Sequence, residues 1–192
     1  MLMRLSLAHF LLLQLTAAAA ISRRTTSSGT ADDYNGIRQT LAHYAVALDA
    51  KDFAGFDRVF TEDVFAAYGP GPGDLNGLQQ LKEGVEKAMS PVTSQHALTT
   101  QLIDLHDSES GRHGNGSSSA NSTTFFTSSL FGTGEYEGEI VYAYGKYEDE
   151  LVKLGGGADA DGVPGTNFKW RIKGRAVLYM GPFTGNASIL GL

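Results

Sequence analysis

Residues 34–60 read YNGIRQTLAHYAVALDAKDFAGFDRVF, and the fold turns on how that run divides. Ile37, Leu41, Tyr44, Ala45 and Leu48 recur at helical spacing and make one apolar stripe on an amphipathic helix. Asp49 lies on the shoulder of the stripe, in the last turn, where the helix dipole disfavours a carboxylate by roughly 0.3–1 kcal/mol. Asp52 is a good N-cap for a second helix, with Phe53, Phe56, Val59 and Phe60 as its inward residues. An acid at the edge of an apolar face asks for a partner.

Downstream, Asp63–Tyr68 (DVFAAY) reads as a short strand, stopped by GPGPG at 69–73 because proline and glycine cannot continue a ladder there. A helix over 76–89 follows, with Leu78, Leu81, Val85 and Met89 inward, and Ser90-Pro91 ends it. Strands then run over 94–105, 123–131, 139–154 and 167–180. The polar, low-complexity stretch 107–122 reads as a loop inserted between paired strands. Helices first and long antiparallel strands afterwards predict an α+β fold. The sheet is expected to be curved and antiparallel, with the N-terminal helices packed over its concave face around a central pocket. Gly145 and Gly174, inside strands, suit bends in that sheet, and the enclosed cavity is the default ligand site.

The 192 residues predict one domain over 34–182, preceded by a disordered linker at 21–33 and followed by a tail at 183–192. Residues 1–20 combine Arg4, an apolar run and Ala17–Ala20, the pattern of a secretory signal peptide. Arg23-Arg24 would serve as a dibasic processing site. Sequons at Asn115, Asn121 and Asn186 agree with a secreted or secretory-pathway glycoprotein. There is no cysteine, which excludes disulfides, zinc–thiolate sites and thiol nucleophiles. The net charge of −6 argues against nucleic acid and against an anionic membrane as partners.

His96 is the candidate partner of Asp49. By period two it shares a face with Leu98, Thr100 and Leu102. A carboxylate on the helix shoulder that reached it would fix its tautomer and raise its basicity, the arrangement of a general base. Tyr68, at a strand end by the cavity mouth, would donate to a substrate carbonyl and hold a developing oxyanion. The run GADADG at 157–162 lacks the later glutamate of a calcium loop and reads as a turn. His106 and His113 have no third ligand at useful spacing, so no metal site is predicted. No G-x-S-x-G, P-loop or H-E-x-x-H pattern occurs.

The segments ALDAKDFAGFDRVFTEDV, SQHALT, YGKYEDELVK and KWRIKGR, in that order, resemble the SnoaL-like branch of the cone-shaped α+β barrels related to nuclear transport factor two. The resemblance spans about residues 34–180 and implies a cone-like half-barrel; its nearest enzymatic pattern is that of the scytalone dehydratases. It implies the catalytic roles for Asp49, His96 and Tyr68, with Tyr44 and Tyr147 near the substrate; Phe65, Phe131 and Trp170 are the further residues expected to line the pocket. Two departures stand out. Leu48 occupies the place of a tyrosine before the aspartate, and a second catalytic histidine, expected near Phe131 or Gly132, is missing. The implied activity is a cofactor-independent lyase or isomerase of dehydratase-like proton transfer, acting on a small hydrophobic natural-product-like substrate. A non-catalytic small-molecule-binding or interaction cone and a cofactor-free cyclase are the alternatives. The resemblance also implies a homodimer through the outer face of the sheet, using Tyr142, Tyr144 and Val177.

Overall fold

The computed structural model describes residues 28–106, 119–154 and 169–191. Helix α1 spans Ser28–Asp49 and buries Ile37, Leu41, Tyr44 and Leu48, the stripe expected from the sequence. Burying each of the aliphatic members contributes about 1.5–3 kcal/mol. The helix begins earlier than expected, so residues 28–33 are not a disordered linker. Tertiary contacts hold this added turn. Asp33 is buried, accepts from Trp170 Nε1 at 3.2 Å and pairs with Lys153 Nζ at 2.5 Å. Thr40 Oγ1 lies 2.9 Å from the Trp170 carbonyl oxygen, a second tie from α1 to the last long strand.

At the other end, Lys51 N–H bonds to Leu48 O and Asp52 N–H to Ala47 O, which closes the helix with a Schellman turn. Lys51 takes the left-handed position at φ 59°, where glycine is usual and an L-residue costs about 1–2 kcal/mol. The expected second helix is instead a six-residue 3-10 turn, Phe53–Arg58, capped by Asp52 Oδ1 accepting from Gly55 N–H at 3.0 Å. Phe60 already belongs to a strand.

That strand, β1, spans Phe60–Ala67; β2 (Asp74–Asn76) folds back on it, and helix α2 spans Leu78–Met89 with Leu78, Leu81 and Val85 buried. The long strands are β3 (Val92–His106), β4 (Ser119–Gly132), β5 (Ile140–Lys153) and β6 (Trp170–Tyr179). The sheet order is β2-β1-β6-β5-β4-β3, with a short β7 (Thr184–Gly185) on β5. All neighbours are antiparallel except β1 and β6, which run parallel and join the N-terminal hairpin to the last long strand.

Two irregularities reset which side chains face inward. On β3 the register shifts between Leu98 and Gln101. His96 points to the concave side, while Leu102, predicted to share its face, is 63% exposed and Ile103 is buried. On β6 the shift lies between Ile172 and Gly174, opposite Leu151 and Glu150. It turns Arg175, Val177 and Tyr179 inward in the phase that Trp170 and Ile172 began. Gly145 is required by close approach: a Cβ there would meet Phe126 Cζ at 2.6 Å and the Leu178 carbonyl oxygen at 2.7 Å.

Strand β4 starts at Ser119, so Asn121 is an exposed strand residue rather than part of a loop. Residues 183–190 are not a loose tail. They form β7 and a 3-10 turn, Ala187–Leu190, capped by Asn186 Oδ1, and they bury Ile189. Val177 is also buried and faces inward, which removes it from the expected outer face; Tyr144, Leu178 and Met180 are among the exposed apolar residues there. The signal-peptide stretch, Arg23-Arg24, His113, Asn115 and the GADADG run lie outside the described residues.

Candidate active site

The curved sheet and the helices above it enclose a cavity of about 400 Å³, lined mainly by apolar and aromatic side chains. Its volume is that of a small-molecule site. Tyr44 and Leu48 enter from α1, Val85 from α2, His96 from β3, Phe126 from β4 and Tyr147 from β5. Pro70 and Pro72 of the GPGPG loop and Phe183 and Leu190 near the C-terminus complete the wall.

Asp49 ends α1 and meets His96 directly. His96 Nδ1 lies 2.6 Å from Asp49 Oδ1, and the His96 backbone N–H donates to Oδ2 at 2.7 Å. Ser94 Oγ donates to Oδ1 at 2.8 Å. Strand β3 presents these two side chains and one amide together because Ser94 and His96 share a face. The donors answer the helix dipole that opposed a carboxylate at this position. Partial burial pushes the Asp49 carboxyl upward, but the bonds from His96 and Ser94 outweigh it and hold the group below the ordinary carboxylate range. An ionised Asp49 can only accept, so Nδ1 of His96 carries the proton and donates to it, which leaves Nε2 as the acceptor nitrogen of a ring that lines the cavity.

A second constellation forms the floor. The hydroxyls of Tyr44 and Tyr68 lie 3.0 Å apart, both residues buried. Tyr147 stacks on Phe126 with ring centroids 4.4 Å apart. Burial pushes the phenols of Tyr44, Tyr68 and Tyr147 well above the ordinary tyrosine value, so they stay protonated donors at neutral pH. Beneath them is Arg175, whose guanidinium carbon sits 4.1 Å from the Tyr44 ring centroid and 4.3 Å from that of Tyr147. Arg175 Nε and Nη2 donate to Asp149 at 2.7 and 2.9 Å, a buried bidentate pair. Burial pushes the Asp149 carboxyl up, and the guanidinium pulls against it. Stacking between two aromatic faces compensates part of the cost of burying this cation.

The structure thus brings His96, Tyr44, Tyr68 and Tyr147 to one cavity, with Asp49 behind His96 rather than on the wall. It does not bring Phe65, Phe131 or Trp170. Phe65 is 46% exposed beside Asn76, and Phe131 is 41% exposed on the outer phase of β4. Trp170 is buried against the start of α1, outside the cavity wall, where its Cδ1 would lie 2.8 Å from a Cβ on Gly36. The position across from His96 in the β3–β4 ladder is Ser128, which lines the cavity. Sequence reasoning missed Arg175, Asp149, Phe126 and Ser94. The bulge on β6 hides Arg175 from any period-two reading, and Gly174 beside it is the one available signal.

A half-barrel of this kind with a polar dyad in its cavity defines the cone-shaped α+β class. The chain belongs to the SnoaL-like domain family, which matches residues 29–176. Among solved structures it is similar to a protein described as a candidate scytalone dehydratase from Novosphingobium aromaticivorans, at 19% identity and TM-score 0.63, covering 82% of this chain and 90% of that one. A type 2 hexachlorocyclohexane dehydrochlorinase shows 9% identity and TM-score 0.61 over 82% and 90% of the two chains. A nuclear transport factor 2-like superfamily protein from Salmonella enterica serovar Typhimurium shows 17% identity and TM-score 0.58 over 80% and 93%. At these identities the likeness is one of fold. No curated protein matches the sequence.

Proposed function

We propose that the protein is a cofactor-independent lyase or isomerase that moves a proton on a small, largely apolar carbon acid of natural-product type. The observation that carries this reading is the His96–Asp49 contact at 2.6 Å on the wall of an open apolar cavity. An imidazole so oriented is a general base with its free nitrogen toward the ligand. His96 Nε2 takes a proton from carbon beside a carbonyl, and the electron pair moves onto the carbonyl oxygen. Tyr68, backed by Tyr44, donates to that oxygen. The protonated His96 then returns its proton, either to another carbon, which completes an isomerisation, or to a departing hydroxyl, which leaves as water. Two structural relatives, the candidate scytalone dehydratase and the dehydrochlorinase, carry names that describe eliminations, and this supports the reaction class.

The reading is tested with 5-nitrobenzisoxazole, a small apolar carbon acid. Proton abstraction from its C3 breaks the N–O bond and yields a coloured cyanophenolate. The wild-type protein should accelerate the ring opening, and His96→Ala should lower the rate by about 10²–10⁴-fold. Equal rates for the two proteins overturn the proposal.

The setting we propose is the secretory pathway, supported by the N-terminal leader pattern and the three sequons. Asn121 is exposed and Asn186 half-buried. A mass decrease of the secreted protein on endoglycosidase treatment is the expected result. Pairing through Tyr144, Leu178 and Met180 is proposed for the outer face, with light scattering as its check.

A further inference from the structure

Lys51 combines two features that local folding does not require of one residue. It occupies the left-handed position of the Schellman turn at φ 59°, where glycine is unstrained. Its Nζ also reaches across to β3 and donates to Ser94 Oγ at 3.3 Å. A serine hydroxyl has a single proton. With one of its lone pairs taken by the lysine, that proton is directed at Asp49 Oδ1, 2.8 Å away, the same oxygen that faces His96 Nδ1. The four groups form a continuous chain from the helix terminus to the ring: Lys51, Ser94, Asp49, His96. A strained backbone retained beside a candidate catalytic centre points to a role for the side chain it carries.

We propose that Lys51 is a positioning residue that, through Ser94, locks the Asp49 carboxylate in the orientation holding His96 ready to accept a proton. The proposal rests on the proton-transfer reading for its consequence, but the alignment itself is measurable without a substrate. In a proton NMR spectrum at fixed pH the His96 Nδ1–H, hydrogen-bonded to a carboxylate, gives a resonance far downfield of the amide region. Lys51→Gly relaxes the left-handed position while removing the amine. This variant should melt a few degrees higher than wild type. Its downfield resonance should broaden or vanish, and its benzisoxazole rate should fall about tenfold with KM little changed. Lys51→Met should lose the same resonance without the gain in melting temperature. Lys51→Arg should restore both resonance and rate. If Lys51→Gly keeps a sharp wild-type resonance, the proposal is overturned. A wild-type protein with the resonance but no turnover defeats the proton-transfer reading and leaves this alignment to be decided by the variants' spectra alone.

Discussion

The cavity has two polar ends built on opposite terms. At one, His96 and Asp49 sit where a helix terminus meets a strand, with 7% and 23% of their side chains exposed. At the other, Arg175 and Asp149 are sealed, with side chains 0% exposed, under a layer of phenols. The first pair is held by the Ser94 hydroxyl and the His96 amide at the meeting of helix and strand. The second is a fixed charge pair whose removal on one side strands an ion in the interior. The proposed chemistry rests on the first pair, while the guanidinium of the second lies against the aromatic wall and acts electrostatically on its phenols.

The largest test of this contrast is at the floor. Arg175→Met should destabilise the protein by about 3–5 kcal/mol in urea denaturation, because Asp149 is left buried and unpaired. Adding Asp149→Leu should recover most of that loss; a double variant as unstable as the single one breaks the distinction. Next in size, Tyr68→Phe should lower benzisoxazole turnover by about 10²-fold with the fold intact, since one oxyanion donor is gone. Gly145→Ala forces Phe126 off the position that walls both ends and should cost about 1–3 kcal/mol, read as a drop in melting temperature. The smallest effect is at the rim. The folded-state value of Asp49 lies below its ordinary 3.8, so its contribution to stability is fully present above that value. It is lost as pH falls through the lower, folded value. Asp49→Asn should remove that part of the acid dependence while changing stability at pH 7 by under about 1 kcal/mol, as measured by denaturation at stepped pH.

Much of this was legible. The stripe of α1 and the strand-forming runs follow from spacing, and Asp49, His96, Tyr68, Tyr44 and Tyr147 followed from their residue types and the family pattern. Alternation reads faces only until a bulge intervenes. After Leu98 and again after Ile172 the phase flips, which sends Leu102 out and brings Arg175 in. Local composition also misled at both ends. The Ser/Thr/Asp-rich approach to α1 is helical because Trp170 and Lys153 hold Asp33, contacts made by residues far along the chain. Residues 183–190 look like a tail until Ile189 finds its pocket beside Val92 and Val141. Phe65 and Phe131 were expected around the substrate, yet their strand phase points them outward.

The parallel pairing of β1 with β6 has a consequence for how the protein comes into being. Phe60 pairs with Ile172, and α1 docks on Trp170, so the N-terminal third cannot complete its core until β6 has left the ribosome. Loop-closure entropy must be overcome before that contact gives any return, which makes folding slow and late. Throughout synthesis the Ile37–Leu48 stripe waits uncovered, a surface on which chaperones or other nascent chains can settle. Substitutions in β6 should therefore reduce yield more than they reduce the stability of the molecules that finish folding.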